Sequence, residues 1–115
     1  MDKIYYLASC DTCRKIIKTL PQNNLIFHDI RQNPITESEL LEMHVLAGSY
    51  EALFSKKAQL YKSRGLKNQK LSEEDYKNLL LEHYTFLSRP VFLIDNKMYI
   101  SNSEKNIIEV TTALK

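Results

Sequence analysis

At 115 residues the chain has room for one compact domain and little more. A hydrophobic share of 43% beside 26% charged residues supports a real core and excludes intrinsic disorder. The net charge of only +2, with acids interleaved among the bases, gives no sign of direct nucleic-acid binding.

The first apolar run, Ile4-Tyr5-Tyr6-Leu7-Ala8, reads as a short buried strand. It is too short for a signal-peptide core or a membrane span, so the cytoplasm is the expected compartment, with no membrane partner. Cys10-Asp11-Thr12-Cys13 follows directly and opens a helix in which Ile16, Ile17 and Leu20 share one face, ended by Pro21–Asn24. Leu25–Ile30 reads as a second strand, parallel to the first in a β-α-β unit.

Thr36 and Glu39 form a capping-box pair for a helix running to about Ala47 and stopping near Gly48. Tyr50–Leu66 suggests short helical pieces closed by Arg64-Gly65. Ser72 opens a further helix, with Tyr76, Leu79, Leu80, His83 and Tyr84 on one apolar face. The period then changes. Val91–Ile94, the turn Asp95-Asn96 and Lys97–Ile100 make a hairpin, and Ser103 caps a last helix expected to bury Ile107, Ile108, Thr111 and Leu114. The expected fold is α/β and thioredoxin-like, a β-α-β … β-β-α mixed sheet. One domain would span 1–115, with a central helical insertion over about 36–84.

Two cysteines are too few for a disulfide-stapled scaffold, and a close pair in a reducing compartment points to catalysis or redox sensing. Cys10 stands where a strand gives way to a helix, so unpaired N–H groups and the positive end of the helix dipole face its sulfur. Both favour the thiolate, which is the nucleophile. Arg14 and Lys15 add positive charge and Asp11 opposes it. Cys13, one turn on, is placed to resolve an intermediate by closing an internal disulfide. Two cysteines that merely pack are the plainer alternative. His28, His44 and His83 show no ligand-like spacing to the pair, so no metal is expected.

The motif C-D-T-C-R-K after a strand, the segment Leu53-Phe54-Ser55-Lys56-Lys57, Ser88-Arg89-Pro90-Val91 and the closing hairpin and helix together resemble the arsenate reductase (ArsC)/Spx family over essentially the whole chain. That resemblance implies that Pro90 is cis and packs beside the cysteine loop, bringing Arg89 next to Cys10. It assigns Cys10, Cys13 and Arg89 to catalysis, and Lys57, Arg14 and Pro90 to substrate binding.

The family has two branches. In the arsenate-reducing branch, glutaredoxin- or thioredoxin-coupled, three arginines hold the oxyanion, and a histidine-asparagine pair precedes the cysteine loop. Those arginine positions fall here on Lys57, Arg89 and near Asn102, and the pair falls on Tyr6 and Leu7. Lysine lacks the bidentate fork, so the oxyanion pattern is incomplete. The Spx branch resembles redox-switched regulators that bind RNA polymerase without touching DNA, and C-D-T-C-R-K fits it well. Their glycine-containing contact segment falls near Gly48, out of register. The resemblance implies no bound cofactor and, as partner, a thiol redox protein or small thiol such as thioredoxin, glutaredoxin or glutathione, with RNA polymerase as the partner on the Spx branch.

Overall fold

The computed structural model describes residues 2–20, 25–100 and 104–114. The expected helix end at Pro21–Asn24, the Ser103 cap and Asn102 therefore lie outside the described residues. The elements run β1 (Lys3–Tyr6), α1 (Asp11–Thr19), β2 (Ile26–Asp29), α2 (Glu37–Ala47), α3 (Gln59–Ser63), α4 (Glu73–Glu82), β3 (Val91–Ile94), β4 (Lys97–Ile100) and α5 (Glu104–Leu114), with single 3-10 turns at Glu51–Leu53, Leu66–Asn68 and Tyr84–Phe86. They group into two compact units, Met1–Asn33 with Arg89–Lys115, and Pro34–Ser88. Among the described residues no helix is long and apolar enough to cross a membrane.

The first unit holds a four-stranded sheet in the order β2-β1-β3-β4. β1 runs parallel to β2 and antiparallel to β3, and β3 is antiparallel to β4. Side chains alternate across a strand, so Ile4, Phe92, Ile94, Tyr6 and Tyr99 share one face. They pack with Ile16, Ile17 and Leu20 of the first helical segment and with Ile107 and Val110 of α5. The sheet is thus the apolar platform that fixes where α1 begins. The β3–β4 turn takes left-handed conformations at Asp95 (φ 52°) and Asn96 (φ 63°), residue types that tolerate them. The Asp95 N–H donates to the Asp2 carboxylate at 3.0 Å, tying the hairpin to the start of β1.

Two expectations shift here. β1 ends at Tyr6 because Leu7–Ser9 turn toward the helix, with the Cys10 N–H donating to the Leu7 carbonyl at 3.0 Å. In α5 the buried residue is Val110, at 0% exposure, while Ile108 is 60% exposed. Ile107 and Val110 are three apart and share a face, whereas Ile108 is a further 100° round the helix. Leu114 has no described side chain.

The second unit is helical. Thr36 Oγ1 accepts from the Glu39 N–H at 3.1 Å, and the Glu39 carboxylate accepts from the Thr36 N–H at 2.9 Å, closing the expected capping box. Gly48 ends α2 in the left-handed region at φ 91°. Ser72 and Asp75 repeat the box on α4. The Glu73 carboxylate accepts from the N–H groups of Tyr50 and Glu51 at 2.7 and 3.1 Å, pinning the 3-10 turn to the start of α4. The core of this unit includes Leu40, Met43, Leu53, Tyr76, Leu80, Leu87 and the stacked pair Phe54–Phe86, whose centroids are 5.2 Å apart. α4 stops at Glu82. His83 is extended (φ −151°) and Tyr84 begins a 3-10 turn, so these two do not continue the face of Tyr76 and Leu80.

Replacing Thr36 by Ala leaves the Glu39 N–H without its acceptor. The expected cost is about 1 kcal/mol, read as a lower denaturation midpoint with an unchanged slope.

Candidate thiol site

The site is built where β1 hands over to α1. Cys10 is the N-cap of α1, in an extended conformation (φ −88°, ψ 116°), and its carbonyl accepts from the Arg14 N–H at 3.1 Å. Cys13 sits in the first turn, at 1% exposure, while Cys10 is partly open. Both are free thiols.

The surroundings separate the two sulfurs. Partial burial pushes the Cys10 pKa up, but this is outweighed by the Cys13 N–H, the Cys13 thiol, the Thr12 N–H and the positive charge of Arg89, so the thiol sits below its ordinary value. Cys13 moves the other way. Burial dominates and, with the Cys10 sulfur beside it as hydrogen-bond partner and charge, holds the thiol up at about 11 despite the Leu7 N–H and Arg89. As the pH rises, Cys10 therefore ionises before Cys13, whose thiol is a hydrogen-bond partner of the Cys10 sulfur.

Arg89 is half-buried, its peptide bond to the buried Pro90 is cis, and its charge acts on both sulfurs. Cys10, Cys13 and Arg89 thus lie together in the sheet unit. Arg14 is different. It is exposed and hydrogen-bonded to Asp11, which compensates its charge locally, and it is not among the groups that lower Cys10. Lys57 is exposed and belongs to the helical unit. Among the described residues no group of three or more His, Cys, Asp or Glu side chains is arranged to hold a metal. The backbone donors Leu7 and Thr12 carry no motif of their own. Only the position of the helix start points to them.

Replacing Arg89 by Gln removes the positive charge from both thiols. The Cys10 pKa should rise, seen as a displaced thiolate absorbance titration, with secondary structure retained; an unmoved titration would show that Arg89 does not act on the sulfur.

Residues 5–110 match the ArsC family. The chain belongs to that family. Similar relatives include the global transcriptional regulator Spx of Streptococcus mutans, 24% identical over 110 residues, covering 93% of this chain and 80% of the relative. The global transcriptional regulator Spx 2 of Bacillus cereus is 28% identical over 108 residues, covering 90% and 82%. An arsenate reductase from Vibrio cholerae superposes with a TM-score of 0.79 at 18% identity, covering 95% of this chain and 96% of its own. The mixed sheet and flanking helices are thus the thioredoxin-like fold of ArsC structures.

Proposed function

We propose that this ArsC-family chain is a thiol redox protein in which Cys10 is the nucleophile and Cys13 the resolving thiol. The observation that supports it most is the asymmetry of the pair. One sulfur is partly open at a helix N-terminus with its pKa lowered, and the other is buried beside it with its pKa raised to about 11. Burial alone raises a thiol pKa, so it is the lowered value at the partly open Cys10 that a merely packing pair does not explain.

The chemistry follows from it. The Cys10 thiolate attacks one sulfur of a substrate disulfide. The substrate S–S bond breaks, its leaving thiolate takes a proton, and a mixed disulfide forms. Cys13 then loses its proton and attacks the Cys10 sulfur, releasing the second substrate thiol and leaving a Cys10–Cys13 disulfide. Two electrons have passed from the chain to the substrate, and an external dithiol such as thioredoxin, or glutathione with glutaredoxin, restores them. Arg89 stabilises the thiolate and the developing negative charge. Arg14 and Pro90, in the same unit as the thiols, are the further candidates for substrate contact.

A second reading is favoured by the Spx relatives: the same disulfide is a switch that controls binding to RNA polymerase. Mild oxidation followed by intact-mass and thiol counting, with thioredoxin or glutaredoxin and with or without arsenate, separates the readings. Loss of both thiols as an internal disulfide, reversed by the donor system, supports the redox assignment. Arsenate-dependent thiol loss would add the arsenate-reductase activity. A reversible disulfide with no turnover, together with oxidation-dependent capture of RNA polymerase, would favour the switch. Two thiols that stay free under oxidation would remove all three.

A further inference from the structure

The helical unit carries a hollow of about 530 Å³ that the thiol chemistry does not use. It is lined by Lys56, Tyr61, Lys62, Gly65, Lys67 and Asn68, which include three ammonium groups, one phenol ring, one amide and no carboxylate. The backbone explains how the lysines meet. Gly65 takes a left-handed conformation (φ 64°, ψ 28°), donates from its N–H to the Lys62 carbonyl and accepts from the Asn68 N–H, both at 3.1 Å. That reversal brings Lys62, from α3, and Lys67, from the next 3-10 turn, to the same hollow. A Cβ at Gly65 would meet nothing within 4 Å, so the glycine stands at an open side of it.

The charges there are uneven. Lys56 is paired with Glu51 at 2.9 Å, Arg64 with Glu82 at 2.9 Å and Lys77 with Glu37 at 3.0 Å. Lys62 and Lys67 have no ion pair among the described residues. Two uncompensated cations thus share one concave wall with Lys56. The Tyr61 ring is held edge-on against Phe54, centroids 5.7 Å apart, and Phe54 is itself stacked in the core, so the aromatic wall is fixed.

We propose that this hollow binds a phosphorylated nucleotide, with Lys62 and Lys67 holding the phosphates and the base laid against Tyr61. Lysines hold phosphate as point charges, and every base has a face that stacks on an aromatic ring. The volume lies within the range of small-molecule sites, about 300–1,000 Å³. One carboxylate would satisfy only part of two free ammonium groups and would leave the ring unused.

The test is a titration of the reduced full chain with ADP, followed by backbone amide chemical shifts. Saturable shifts concentrated at Tyr61, Gly65 and Asn68, weakened by added salt, are expected. The double variant Lys62→Gln with Lys67→Gln should bind at least about tenfold more weakly, with unchanged melting and unchanged cysteine alkylation. Lys70→Gln, outside the hollow, should bind as the parent does, and inorganic pyrophosphate should bind more weakly than ADP. The proposal is overturned by shifts that do not saturate at millimolar ADP, by equal affinity in the double variant, or by pyrophosphate binding as tightly as ADP.

Discussion

Cys10→Ser should abolish disulfide turnover, a fall on the order of a thousandfold or more, because the remaining thiol, Cys13, is buried and its pKa is held up at about 11. Cys13→Ser should behave differently. Cys10 remains partly open and retains the Thr12 N–H, the helix N-terminus and Arg89 as stabilisers, so it still attacks. The mixed disulfide then has no internal thiol to break it, and the substrate should stay attached to Cys10 in intact-mass spectra until an external thiol is added. Serine is nearly isosteric with cysteine, and the Cys13→Ser hydroxyl still donates a hydrogen bond, so the fold should survive both changes. If both variants lost activity alike with no trapped species, or if Cys10→Ser retained turnover, the assignment of roles would be wrong.

Phe92→Ala should be the most damaging single change to the sheet unit. Phe92 is fully buried, lies opposite Ile4 on β1 and Tyr99 on β4, and faces the apolar sides of both helices that flank the sheet. Truncation removes the ring and opens a cavity beneath both helices at once, at an expected cost of about 3–5 kcal/mol. In a small domain of ordinary stability that is a large part of the total. Equilibrium denaturation should show a sharply lower midpoint, and thiol reactivity should lose its selectivity as α1 loosens. A loss below about 1 kcal/mol would mean that the surrounding chain refills the space and that α1 is positioned by something other than this contact.

The parts of the fold that were legible in the sequence are those written in local chemistry. Thr36 with Glu39 and, more plainly, Ser72 announce helix starts through side chains that bond their own backbone, and the structure closes a capping box at each, with Asp75 as the second acid. Gly48 and the Asp95-Asn96 pair announce a helix end and a tight turn because few other residues accept their backbone angles. Less legible were features decided by distant packing. Nothing local distinguishes Ile108 from Val110, yet the sheet covers one and leaves the other out. His83 and Tyr84 continue an apolar spacing that the backbone abandons at Glu82.

The thiol site divides in the same way. The strand-to-helix position of Cys10 could be read from the apolar run before it and the helical spacing after it. The burial of Cys13 could not, because Thr12 and Cys13 are both small residues of the first turn and only the surrounding fold buries one and exposes the other. Arg14 shows the limit of counting charges along a sequence. It stands one residue beyond the motif, yet its guanidinium bonds Asp11, while Arg89, far away in sequence, acts on both sulfurs.

The account depends on one difference between two neighbouring sulfurs, and site-resolved alkylation across a range of pH measures it directly. A lowered thiol pKa means that the thiolate fraction grows at lower pH, and a raised one delays it, so the two labelling curves must separate in a fixed order. Cys10 should label with a midpoint below that of an ordinary cysteine thiol, and Cys13 should stay protected until the pH approaches about 11. Coincident curves for the two peptides, or Cys13 labelling ahead of Cys10, would contradict it.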